Sequence, residues 1–512
     1  MKHALFAALL SFFAATLGLA QVSSRSGGQP GERRHIGVNL EGLTYYSRGL
    51  VFADAMLQAQ NFYAGADAGG NPTADQTTII FSNCTPAFAG TYKFACKGQP
   101  TLKAAVSYAT VASQSYNATT NTTTADITLT AQQIQAIPQL GLNIGNVVAG
   151  KVSNVQVWRP GANAGVDRFY GPFVKIMAPF DTIRFMDFLS TNGSTQVNWS
   201  DRPQPTDRNF TIKGGCYEDA LLLCKQTNKA PWLCMPCQAN ADYLNKFIML
   251  VKQRARGPVY IEWSNEIWNS AFPQWKQAME LAAADKSLAY DGTGDPNILL
   301  YRWMGKQAVN ISKAAQAAYG VNDIRKCPIR PILAGQWGNP DVLKYALDYI
   351  NTQVGPANQY IYGIAIAPYA TLSGNLWGRI QNGDATVTKE QIVADYQSSG
   401  INNSSMTNSG TAAFVSQAKQ YNLHTRAYEF GFDSGQAQQA VTQKAAAAHE
   451  PAMGPILTTY INNWWAAGCE GLNWFTLTAA DTSNGQWGLT ADTYDMNTPK
   501  YQAAVAAARA AH

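Results

Sequence analysis

Past about residue 166 the apolar positions follow two alternating rhythms. Short runs rich in Val, Ile, Leu and aromatic residues over 182–188, 231–236, 259–264, 331–335, 362–367, 425–429 and 471–475 read as buried strands. Between and after them, residues 217–228, 240–256, 273–285, 297–319, 340–354, 389–400, 410–421 and 455–467 space their apolar side chains three or four apart, which predicts helices. A further strand at 35–40 brings the strand count to that of a closed (β/α)8 barrel, so the predicted class is α/β.

The texture changes between the first strand and the rest. After an amphipathic stretch at 50–63, residues 64–165 are rich in Thr, Ser, Asn, Gly and Ala, with period-two runs at 77–82, 92–95 and 152–158. Helical spacing nearly vanishes there. Short alternating strands with frequent turns predict a β-sandwich domain inserted into the barrel. The expected organisation is a first βα unit over 35–63 with its helix at 50–63, the insert at 64–165, and the remaining barrel over 166–512.

Ahead of these elements, Met1-Lys2-His3 and the apolar run 4–15, closed by Gly18 and Ala20, have the layout of a signal peptide cleaved after residue 20. That run is short of the ~20 residues a membrane span needs. Residues 21–34 read as a linker. The expectation is a secreted protein, extracellular or periplasmic, with no membrane span.

Export permits disulfides, and the chain has eight cysteines. Cys84 and Cys96 flank a turn and are placed to staple a hairpin. Cys216 lies at the start of a predicted helix and Cys224 within it, and Cys234 and Cys237 lie on the strand running back along it. That favours nested pairs, Cys216–Cys237 and Cys224–Cys234. The alternative for Cys234-Met-Pro-Cys237 is a redox or zinc half-site, without a second Cys/His pair at ligand spacing nearby. Cys327 and Cys469 are left for each other. Asn-x-Ser/Thr sequons, among them Asn83, Asn117, Asn121 and Asn209, carry glycans only in a host that glycosylates.

A net charge of +5 over 512 residues, without a Lys/Arg run, gives no reason to expect a nucleic-acid partner. Five histidines, none in a metal-binding motif, disfavour a metal-dependent hydrolase, and no cofactor fingerprint occurs. Aromatic residues at 11% with charged residues at only 14% fit a protein that stacks on neutral rings, although most of those aromatics belong to the core.

The informative chemistry lies at two strand ends. Tyr260-Ile261-Glu262-Trp263-Ser264-Asn265-Glu266 ends one strand, and Arg426-Ala427-Tyr428-Glu429-Phe430-Gly431 ends another. Carboxyls at the C-terminal ends of barrel strands sit where this fold does its chemistry. A pair on one rim is what glycosidic cleavage needs, one carboxyl as acid/base and one as nucleophile. On this reading Glu266 protonates the leaving oxygen, Asn265 offers an amide N–H to a sugar hydroxyl, and Glu429 attacks. Glu429 must stay ionised, which calls for a cation and a hydroxyl. Arg184 at the end of the second strand and Tyr369 at the end of the sixth supply them. Trp474 on the eighth strand is expected to floor the sugar pocket, and Trp199 in the loop after the second to offer a platform. Glu262, four residues before Glu266, faces the same side but deeper, as a buried and paired residue.

These residues resemble clan A of the retaining glycoside hydrolases. Asn265-Glu266 matches that group's fourth-strand acid/base motif, and Glu429 its seventh-strand nucleophile. Arg184, Tyr369 and Trp474 match its second-, sixth- and eighth-strand positions. Strings such as Arg184-Phe185-Met186-Asp187 and Trp158-Arg159-Pro160-Gly161 look like a little-characterised branch with a β-sandwich insert. The chain departs from the clan at Ala367, where many members carry His two residues before the sixth-strand Tyr. The resemblance implies a secreted retaining hydrolase acting as a monomer on a β-linked glycan without a cofactor. The rival is a carbohydrate-binding or scaffolding protein that kept the barrel and lost turnover, and both carboxyls being present counts against it.

Overall fold

A computed structural model describes residues 34–511. Its centre is a closed barrel of eight parallel strands: β1 (His35–Asn39), β2 (Thr182–Arg184), β3 (Ala230–Met235), β4 (Val259–Trp263), β5 (Ile329–Ala334), β6 (Gly363–Ile366), β7 (His424–Phe430) and β8 (Gly471–Trp474). Neighbours in sequence are neighbours around the barrel, and β8 closes on β1 through His35 opposite Gly471 and Val38 opposite Trp474. The chain is therefore an α/β protein of the (β/α)8 kind, with separate antiparallel sheets between β1 and β2.

Register decides which side chains share the interior. Asn39 lies opposite Arg184, Arg184 opposite Trp232, and Cys234 opposite Glu262. Met186, Trp232, Cys234, Tyr260, Ile332, Ala334, Ala365 and Tyr428 form a small inner core, distinct from the large one that joins the strands' outer faces to the helices. The outer layer follows the sequence rhythm closely. Tyr217–Thr227, Ala241–Arg254, Pro273–Ala284, Pro296–Tyr319, Asp341–Gln353, Lys389–Ser398, Ser409–Tyr421 and Met453–Ala466 are helices. Ends are set by local chemistry: Asn240 caps the second of these through Tyr243 N, and Gly320 at φ 68° ends the fourth, a backbone angle glycine adopts without strain.

The span between β1 and β2 holds two antiparallel sheets. One orders Gln76–Ser82, Gln139–Gly145 and Thr101–Ala105; the other orders Thr110–Asn117, Thr122–Leu129, Gly90–Lys97 and Ser153–Trp158. Alternation sends Tyr92, Phe94, Ala125, Ile127 and Leu129 into the core while Thr91, Lys93 and Thr124 stay out. Short pairings of Phe52 with Phe169 and Asp54 with Trp158 tie this region to the chain on either side of it.

Two expectations fail here. Residues 50–63 do not form a helix beyond a single tight turn at Ala55–Gln58. All of 50–59 is buried, so the apolar spacing marks a segment enclosed on every side rather than one helical face. Side chains replace the helical hydrogen bonds: Gln58 Oε1 accepts from Val51 N and Phe52 N, and Asp54 Oδ1 from Met56 N and Val157 N. The expected cysteine pairs do not form either, because all eight thiols are buried and free. Cys234 points into the barrel against Glu262, whereas Cys224 sits in the outer core, so that pair faces opposite sides of the wall. Cys216 bonds to Asp219, and Cys237 to the Gln274 carbonyl. The expected signal peptide lies outside the described residues, as does the linker up to residue 33. No helix among the described residues is long and apolar enough to cross a membrane.

Burial pushes the Cys84, Cys96 and Cys237 thiols up to about 12, so little reactive thiolate is present at neutral pH. A disulfide reagent should therefore leave the native protein almost unlabelled and count eight thiols after denaturation. Reductant should leave the melting temperature unchanged. Fewer than eight thiols in the non-reduced, denatured chain would restore a disulfide.

Candidate active site

The rim at the C-terminal ends of the strands is organised around Arg184. Its side chain is fully buried, and all five N–H donors are used. Nε and Nη2 donate to Glu262 Oε2 at 3.2 and 3.0 Å; Nη2 also reaches Asn265 Oδ1 at 2.8 Å. Nη1 donates to Asn39 Oδ1 at 3.1 Å and to Glu429 Oε1 at 2.8 Å. One guanidinium thus fixes side chains at the ends of β1, β4 and β7. The same bonds leave no donor for Asp187, three residues further along the chain.

Glu429 is held at both oxygens, by Arg184 on Oε1 and by the Tyr369 hydroxyl on Oε2 at 2.9 Å. Tyr428 and Glu429 are adjacent, and strict alternation would send them to opposite faces. The pairing of β7 with β8 shifts register between Ala427 and Phe430, an irregularity that lets both serve the rim. The Tyr428 hydroxyl donates to Glu266 Oε1 at 2.5 Å, and Asn269 Nδ2 donates to Glu266 Oε2 at 2.9 Å. Glu266 is reached through strained backbone: Ser264 and Glu266 have φ of 62° and 41°. Neither is glycine, and residues held this way cluster where a side chain must be aimed. Asn265, between them, spends one amide N–H on Asn192 Oδ1 at 3.0 Å.

Charge alone does not keep Glu429 ionised. Burial pushes its carboxyl up to about 8 against the pull of Arg184, with the negative charges of Glu266 and Asp187 adding to the rise and Tyr369 opposing it. The sequence reading names the right cation and hydroxyl but expects attraction to prevail over burial, and here burial prevails. Glu262 is 2% exposed and receives Arg184, Trp232 Nε1 and the Cys234 thiol, a paired interior residue deeper than the rim.

Two expected sugar contacts are differently placed. Trp474 is 1% exposed, packs on Phe430 and Phe432 and donates to the Trp487 carbonyl, so its ring floors no open pocket. Alternation along β8 turns it outward and the next residue, Phe475, inward. Phe475, Tyr369 and Trp487 meet edge to face at 5.4–6.5 Å and form the partly exposed aromatic wall beside Glu429. Trp199 is occupied by packing: the Arg202 guanidinium lies 3.9 Å over its ring and Tyr243 meets it edge on. The sequence reading misses Tyr428, Asn269, Asn39, Phe475 and Trp487. Tyr428 and Phe475 lie inside strand-end motifs already singled out, one position from the residues chosen.

No family model matches the sequence, and no curated protein is similar to it. Similar solved structures include a GH51 arabinofuranosidase from Xanthomonas axonopodis pv. citri, 12% identical over 67% of this chain and 66% of that one, with a TM-score of 0.38. A β-glucosidase from Thermotoga maritima is 11% identical over 66% of this chain and 84% of that one, at 0.36. A 4-O-α-L-rhamnosyl-β-D-glucuronidase from Fusarium oxysporum 12S is 12% identical over 64% and 61%, at 0.36. At these scores the likeness carries no argument about the reaction.

Replacing Arg184 by Met removes the cation from Glu262 and Glu429 together. Breaking one partner out of a buried pair costs on the order of 3–5 kcal/mol, so the melting temperature should fall by many degrees. Without the pull of Arg184 the Glu429 carboxyl rises further, and any activity that needs it ionised should move its acidic limb to higher pH. Melting curves and a pH–rate profile check both. An unmoved acidic limb would remove Arg184 from any electrostatic role at Glu429.

Proposed function

We propose that the protein is a retaining glycoside hydrolase that cleaves β-linked glycans by double displacement. The observation carrying this reading is a carboxyl at the end of β4 and another at the end of β7, linked because the Tyr428 hydroxyl, on the residue next to Glu429, donates to Glu266. Glu429 attacks the anomeric carbon and forms a glycosyl ester. Glu266 first gives its proton to the leaving oxygen, then takes one from the attacking water.

The surrounding bonds support these roles. Arg184 and Tyr369 orient the two Glu429 oxygens and favour its charged form against burial, and attack proceeds from that ionised form. Tyr428 and Asn269 hold the Glu266 carboxyl plane. The second amide N–H of Asn265 goes to a sugar hydroxyl beside the reacting carbon. Phe475 and Trp487 give the ring an apolar wall. The reaction needs no cofactor. In this reading the chain is exported by its N-terminal apolar segment and works as a monomer on polysaccharide or oligosaccharide outside the cytoplasm.

The test is a panel of β-linked polysaccharides and aryl β-glycosides, with the anomer of the first product read by proton NMR. Retention is expected, and inversion would overturn the mechanism. Glu429→Ala should lose turnover on every substrate. Glu266→Ala should spare aryl glycosides with good leaving groups, which need little protonation, and azide should restore its rate as a glycosyl azide. Equal losses in both variants on activated and natural substrates would contradict the assigned roles.

A further inference from the structure

Beside the carboxyl pair, the β1–β2 side of the rim holds a cavity of about 320 Å³, lined by Glu41, Thr44, Tyr46, Asp187 and Asn192, with Gly42, Ser47 and Ser190 between them. That is the lower end of the ~300–1,000 Å³ range of small-molecule sites. Its wall is joined to the candidate active site by one hydrogen bond, since Asn192 Oδ1 accepts from Asn265 Nδ2.

The polar groups are arranged for an outside partner. Asn192 Oδ1 also accepts from Gln274 Nε2 at 2.6 Å, so two donors fix the amide and its NH2 is spare. Glu41 Oε1 takes Thr478 Oγ1 and Gly49 N, and burial pushes the carboxyl up to about 7 against these bonds, the Ser47 hydroxyl and the charge of Arg48. The Asp187 carboxyl makes no hydrogen bond or ion pair there, as Arg184 is fully committed elsewhere. Thr44 Oγ1 has no hydrogen-bond partner among the described residues. Tyr46 is 55% exposed, a ring set at the cavity wall and left open. No lysine or arginine lines the space, and the nearby Arg48 is turned away onto Asn83.

We infer that this cavity is a second sugar-binding position, contiguous with the reacting one, which holds an uncharged, hydroxyl-rich sugar unit of the substrate and excludes a uronic acid. Glu41 and Asp187 accept from hydroxyls, the Asn192 NH2 donates to a ring or hydroxyl oxygen, and Tyr46 covers a sugar face. Burial raises Glu41 to about 7 and Asp187 to about 6, so above about pH 7 a substrate carboxylate would meet two negative charges and no lining cation, an arrangement that selects by repulsion. The inference rests on the glycosidase reading and gives it a substrate class.

Calorimetry on the Glu429→Gln protein tests it, with cellotetraose, xylotetraose, mannotetraose and β-1,4-tetramannuronate as ligands. At least one neutral tetrasaccharide should bind, and tetramannuronate should bind about tenfold or more weakly than mannotetraose. Adding Glu41→Gln, which keeps Oε1 and turns Oε2 into a donor, or Tyr46→Ala should each weaken the neutral ligand about tenfold, the scale of one charge-assisted hydrogen bond or a lost stacking face. If tetramannuronate binds as tightly as mannotetraose, or if both added variants bind the neutral ligand unchanged, the cavity is not this site. Hydrolysis of neutral substrates by the unmutated enzyme would then leave the glycosidase reading standing. Neither binding nor hydrolysis of any panel member would overturn both.

Discussion

A single buried guanidinium constrains the rest of the rim. A charge out of water costs several kcal/mol unless its partners nearly replace the lost hydration. Arg184 meets that demand with five donors and four acceptor side chains from three strands. Each acceptor is thereby fixed as well. Asn39 is turned so that its NH2 caps carbonyls of Tyr428, Asn473 and Trp474, which joins β1 to the ends of β7 and β8. Glu262 is drawn into the interior, where Trp232 completes its shell. The strands carry the side chains, and the cation sets where their ends point.

The two rim glutamates differ by environment more than by position. Both accept two protein donors, yet only Glu429 takes one from a cation, and burial acts on it strongly enough to raise its pKa all the same. Glu266 is bonded by a phenol and an amide, neutral donors that orient without adding charge. Double displacement asks different work of the two carboxyls, and their different donors are what sets them apart.

Much of the barrel is legible because burial and periodicity agree there: all eight strands fall within a few residues of their apolar runs, and the helix at 296–319 is fixed by Asp295 before Pro296 and by Gly320 behind. The segment at 50–59 was misread because a run buried on all sides carries the same apolar spacing as a helix face, and its hydrogen bonds are made by Gln58 and Asp54 at a distance. At the rim, Arg184, Asn265, Glu266, Tyr369 and Glu429 were legible from residue type at strand ends. Trp474 is misplaced because its role rests on the parity of β8, and alternation there turns Phe475 rather than Trp474 inward. The Cys224–Cys234 pairing fails on the same ground: Cys234 lies on the inward parity of β3 and Cys224 in the outer core.

The register irregularity in β7 has a mechanical consequence. Glu429 and the residue that grips Glu266 are consecutive, so the separation of the two carboxyls is spanned by one peptide unit, a phenol ring and one hydrogen bond. A shift of β4 against β7 must stretch this one bond before it widens the gap. The gap is therefore gauged locally, like the jaws of a caliper, and not by the sum of strand spacings around the ring. Lengthening β7 by one residue before Tyr428 would swing both jaws together, whereas a residue inserted between Tyr428 and Glu429 would uncouple them while leaving every strand in place.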